Sequence, residues 1–152
     1  MRTALSLPPV IRPVAAVDAN PRRGRILFIA DGCVICHQVN GVGGLAGPAL
    51  DQDTPEDTVD PLAFSARIWR GARAMTALQA MELGYVIDLD GQDLADLAAF
   101  VASRDERPLL TLDSVSREMR TWFINEPYWI EDDWSEYRER GEAIPLDETH
   151  RR

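Results

Sequence analysis

Two cysteines and a histidine fall within five residues, Cys33-Val34-Ile35-Cys36-His37, and these are the chain's only cysteines. C-x-x-C-H is the attachment sequence for c-type haem. The spacing has a physical basis. Thiols three apart on one helical turn can each add across a haem vinyl group, and the adjoining imidazole then points at the iron from one face. Other readings of the same five residues stand beside this one. A dithiol redox pair needs a lowered thiol pKa and a βαβ setting, and no such alternation of strands and helices is visible here. A zinc site needs four ligands, and the chain adds only the distant His150. The plainest alternative is a pair of buried structural cysteines. As a disulfide, so short a loop would contribute little.

His37 as one axial ligand leaves the opposite face of an iron to fill. A methionine thioether there raises the reduction potential relative to a second histidine. Met75, Met81 and Met119 are the candidates, although a methionine more often fills a gap in a core.

Elements must hold these groups in place. Asn20-Pro21 reads as a helix start, with Asn as N-cap and Pro at the first helical position. Ile26 to Ala30 follow, and Asp31-Gly32 ends the helix just before the motif. Residues 38–60, rich in Gly, Pro and Asp, read as a loop long enough to need a large ligand beneath it. Asp60-Pro61 opens a second short helix over about 61–70. Residues 71–89 then read as a second loop, carrying Met75 and Met81. Asp90 caps a third helix, with Asp93 in an imperfect capping box. Its apolar stripe is Leu94, Leu97, Ala98 and Val101, flanked by Phe100.

From residue 20 to residue 103 the chain resembles the class I cytochromes c. Four segments carry the resemblance, in the family's order. Gly24 and Phe28 precede the motif in a G-x-x-x-F-x-x-x-x-C arrangement. Gly41-Val42-Gly43-Gly44-Leu45-Ala46-Gly47-Pro48-Ala49-Leu50 is similar to the family's G-x-G-G…G-P-x-L loop. Ile68-Trp69-Arg70-Gly71-Ala72-Arg73-Ala74-Met75 is similar to its methionine-ligand loop. Asp90 to Val101 resembles its C-terminal helix. The resemblance implies an all-α domain around one covalent haem c, held by Cys33 and Cys36, with His37 and Met75 as axial ligands. It implies that the Pro48 carbonyl accepts the His37 Nδ1 hydrogen, a bond that fixes ring orientation. It also implies close packing of the first and third helices, with Gly24 allowing the approach and Phe28 set against Leu97 and Phe100. Trp69 is either core packing or a propionate donor. Arg67, Arg70, Arg73 and, more weakly, Tyr85 are further propionate candidates. The exposed haem edge would lie between the Gly-rich loops 41–47 and 71–74.

The chain thus divides into an extended segment or linker over 1–19, a haem domain over 20–103 and an acidic, aromatic extension over 104–152. The start is a poor export signal, because Pro8, Pro9, Arg12 and Pro13 interrupt any apolar run. No stretch approaches the roughly 20 apolar residues of a membrane span. The extension holds three of the four Trp and two of the three Tyr, and segments 113–123 and 131–140 read as short helices. Its aromatics either wrap the domain or serve an interface.

The net charge of −9, with all sixteen basic residues Arg, argues against nucleic acid and anionic membranes as partners. The expected function is one-electron transfer between periplasmic or otherwise exported redox partners. The alternatives are a subunit docked in a larger, membrane-bound redox complex through the extension, and a haem enzyme or gas sensor with an open iron position.

Overall fold

A computed structural model describes residues 18–52 and 58–126. Among them are five helices and no strand, an all-α arrangement as expected. α1 spans Pro21–Ala30. The Asn20 side chain accepts the Arg23 N–H at 3.0 Å, and Pro21 occupies the first turn. Gly32, at φ +84°, turns the chain out of α1 and directly into α2, Cys33–Cys36.

The second long helix corrects the sequence reading. α3 runs unbroken from Pro61 to Glu82, so the expected loop at 71–89 begins only at Leu83, and residues 71–74 are helical. Met75 and Met81 therefore sit on a helix. Gly71 costs about 1 kcal/mol in a helix, but Ala, Arg, Met, Leu and Gln around it favour one. Gly84, at φ +78°, lies just past the true end, where a left-handed residue stops a helix.

α4, Gly91–Ala102, starts with a complete capping box. The Asp90 side chain takes the Asp93 N–H at 2.8 Å, and the Asp93 side chain takes the Asp90 N–H at 3.1 Å. Asp93 thus does the work usually given to Glu. Leu97, Ala98, Phe100 and Val101 are buried as the stripe required, and Leu94 packs at the margin.

α1 crosses α4 at close range. A Cβ on Gly24 would meet the Asp96 backbone carbonyl and lie 2.8 Å from the Phe100 Cβ. Phe28 packs on Phe100 with ring centroids 5.7 Å apart. Asp96 is a surprise inside this crossing, since it lies on an apolar helix and is 1% exposed. It accepts the Asn20 N–H at 2.7 Å, the Gln92 amide at 2.9 Å and the Arg23 guanidinium, which also holds Asp93 at 2.6 Å. Burial pushes this carboxyl upward, but the three donors outweigh burial and hold it below the usual carboxylate range.

The chain after Ala102 continues onto the same core. Arg25 pairs with Glu106 at 2.9 Å. Two single 3₁₀ turns, Arg107–Leu109 and Leu112–Ser114, flank Leu110 and precede Val115, both buried, and the short α5 covers Arg117–Arg120. The expected helix at 113–123 is thus one turn of each kind. The expected helix at 131–140, with Tyr128, Trp129, Trp134, Tyr137 and His150, lies outside the described residues.

Gly24→Ala should lower stability by about 2 kcal/mol through overpacking, read as a fall in the denaturant midpoint. Asp96→Asn should lower Tm at pH 7. Because the folded-state pKa of Asp96 is depressed, its contribution is present above the unfolded carboxylate value and is lost as pH falls through the folded one. The Tm difference between Asp96→Asn and the unaltered protein should therefore narrow below about pH 4.

Candidate haem site

A helix of one turn closes one ladder bond of its own, so three of its four carbonyls need partners from elsewhere in the chain. The Cys33 carbonyl takes the His37 N–H at 2.9 Å and the Val34 carbonyl takes Gly44 N–H at 2.9 Å. The Ile35 carbonyl takes Ile124 N–H at 3.0 Å and the Cys36 carbonyl takes Gly47 N–H at 2.7 Å. The loop that supplies two of these donors must approach the helix closely. A Cβ on Gly43 would meet the His37 carbonyl and lie 2.9 Å from the Val34 carbonyl. On Gly44 it would meet the Ile35 carbonyl and lie 2.8 Å from that of Ile124.

The same approach orients the imidazole. His37 Nδ1 lies 2.8 Å from the Pro48 carbonyl oxygen. A carbonyl only accepts, so Nδ1 carries the hydrogen and Nε2 keeps its lone pair. Burial lowers the His37 pKa, against a smaller upward pull from the Pro48 carbonyl, so the neutral ring is favoured. Gly47 faces the ring itself, where a Cβ would lie 2.6 Å from Nδ1 and 2.8 Å from Nε2. The sequence places Gly47 in the loop, but nothing in it shows that the imidazole fills the place of its side chain.

Cys33 and Cys36 are not joined as a disulfide. Burial, helped by the charge of Asp31, pushes the Cys33 thiol up to about 12. Burial, helped by Glu82, pushes Cys36 up to about 11. A dithiol redox pair requires the opposite shift. Among the described residues no group of three or more His, Cys, Asp or Glu gathers to hold a metal ion, so zinc has no ligand set there. Two protonated thiols on one turn and a neutral imidazole with a free Nε2 fit haem c.

The Cytochrome c family model matches residues 21–105, more than half of the chain. The chain belongs to the cytochrome c family. It is an electron-transfer protein, and its cofactor is covalent haem c. No curated protein and no solved structure matches it. No described helix of this cytochrome is long and apolar enough to cross a membrane.

The remaining candidates separate by position. Phe64 and Gln79 are the buried residues of α3, Ile68 packs against the core beside them, and Met75 shares their helical face at partial burial. Met81 is 49% exposed on another face, and Met119 packs against the core near the end of the described chain. Trp69 is 82% exposed, which rules out the core-packing role. It lines a shallow apolar trough with Ser65, Ala66, Ile68, Ala72 and Leu94. Arg70 and Arg73 are exposed. Arg67 instead turns inward over the Phe64 ring and donates to the Leu50 carbonyl at 3.4 Å. The Tyr85 hydroxyl stands over the Gly32 turn. Sequence reasoning missed Ile124, whose backbone alone acts and which therefore carries no side-chain signal.

Gly47→Ala should displace the imidazole and destabilise the fold by about 1–3 kcal/mol. Thermal unfolding measures this, and the covalent haem content of the purified protein should fall with it.

Proposed function

We propose that haem c is joined by thioether bonds to Cys33 and Cys36, that His37 Nε2 and the Met75 sulfur are the axial ligands, and that the protein carries single electrons between redox partners in an exported, periplasmic setting. The observation that carries this reading is the His37 Nδ1 held 2.8 Å from the Pro48 carbonyl oxygen, which leaves Nε2 to face a ligand, on the residue adjoining a turn that presents both thiols. Bound haem c supplies a reversible one-electron iron couple. The chain's own residues do the rest. Pro48 and Gly47 hold the imidazole in one orientation, which keeps the ligand geometry constant between oxidation states. The buried core around Phe28, Val34 and Phe64 lowers the local dielectric.

Met75 is chosen over its rivals because it lies on the inward face of α3, whereas Met81 points away from it and Met119 lies on α5, packed against the core. With both axial positions taken, no substrate or gas reaches the iron, which sets electron transfer apart from a haem enzyme or sensor.

Met75→Leu removes the thioether with little change in volume. The ferrous variant should bind carbon monoxide readily, while the unaltered protein and Met81→Leu should not. Its reduction potential should also change markedly. Carbon monoxide binding by the unaltered ferrous protein would instead establish an open site.

A further inference from the structure

A cleft of about 320 Å³ opens against α2, lined by Ile35, Glu82, Leu83, Tyr85, Trp122 and Ile124. Its walls are tied to the haem-attachment run. The Tyr85 hydroxyl stands 3.6 Å from the place of a Cβ on Gly32. Ile124 is bonded to the Ile35 carbonyl at 3.0 Å. The charge of Glu82 reaches the Cys36 thiol. Tyr85 and Trp122 are 53% and 57% exposed, so two large rings that face water line the same cleft as the Glu82 carboxylate.

That combination has a definite chemistry. Aromatic faces are electronegative and attract a cation, most strongly when the ring is Trp. A carboxylate beside them adds a full charge and hydrogen-bond acceptors. An anion entering the cleft would meet Glu82 with like charge. An apolar side chain would desolvate that carboxylate without compensation.

We propose that this cleft receives an arginine or lysine side chain of a redox partner and so seats the partner's basic surface beside the haem-attachment turn. The net charge of −9 steers such a partner in and makes the encounter rate fall with salt. One inserted side chain on a small contact area suits a transient redox encounter. Only the redox character of the partner rests on the proposed haem function. The preference of the cleft for a cation does not.

The test uses the full-length holoprotein, isotope-labelled for nuclear magnetic resonance, titrated with decalysine and, separately, with decaglutamate. The Trp122 indole and the Tyr85 amide should shift with decalysine and stay in place with decaglutamate. Glu82→Gln and Trp122→Leu should each weaken decalysine binding on the order of fivefold. Asp105→Asn, which removes an exposed carboxylate that does not line the cleft, should not. Shifts that bypass Trp122 and Tyr85, or equal affinities for Glu82→Gln and Asp105→Asn, overturn the proposal. So does the absence of any Trp122 shift, the result expected if another part of the protein or the haem already fills the cleft. Covalent haem is assayed on the same sample. Its absence defeats the haem reading, while the titration still decides the cleft.

Discussion

The attachment helix is one turn long, and everything near it follows from the need to satisfy its four carbonyls. A buried carbonyl without a donor costs about 1–3 kcal/mol, so the three that the helix cannot satisfy itself would consume much of the stability of a small domain. Three of the donors come from distant backbone, at Gly44, Gly47 and Ile124. Backbone donors reach a helix end only where side chains do not intervene, which explains Gly43 and Gly44. The bond from Gly47 to the Cys36 carbonyl then places Pro48 next to the His37 ring. The orientation of the proposed iron ligand is thus a by-product of completing the helix that carries the thiols.

The direction of that helix is set from the other side. Only Asp31 and Gly32 separate α1 from α2, so the lie of α1 determines where Cys33 points. α1 is fixed on α4 by the contact at Gly24, by Phe28 on Phe100 and by the Asp96 cluster. A buried carboxylate is weak evidence for net stability in itself. Here it joins the start of α1 to α4 through both a backbone N–H and a guanidinium, and those bonds specify one angle between the helices. A wholly apolar crossing would bury similar area and tolerate sliding.

Features confined to a few neighbouring residues were legible in the sequence. The C-x-x-C-H run, the Asn20-Pro21 start, the Asp31-Gly32 stop and the stripe of α4 each act within one or two turns, and the fold class followed from the family resemblance of the segments that hold them. α3 was misread because Gly71 and the resemblance to a ligand loop outweighed the helix-forming residues on both sides. Met75 was singled out for its place in a loop, yet the face it shares with Phe64, Ile68 and Gln79 on a helix is what favours it over Met81. Asp96 was invisible for a different reason. A lone acid in an apolar stripe looks solvated until its partner appears, and Arg23 is 73 positions away.

The described residues beyond the family match, which ends at residue 105, pack on the scaffold of the attachment turn. Leu110 and Val115 are as fully buried as the core residues of α1 and α4. Ile124 donates to α2 and accepts from Leu45 and Ala46 of the glycine loop, so one residue bridges the two elements that surround His37. Trp122 stands two positions earlier, in the same short stretch of chain. The backbone bonds at Ile124 hold that stretch against α2 and thereby fix the indole at the rim of the cleft. Residues 122–124 therefore couple two tasks: the Ile124 backbone completes the attachment helix, and Trp122, 57% exposed, turns its indole toward solvent, so a partner docked there as proposed would rest on the stretch that also holds the attachment turn in place.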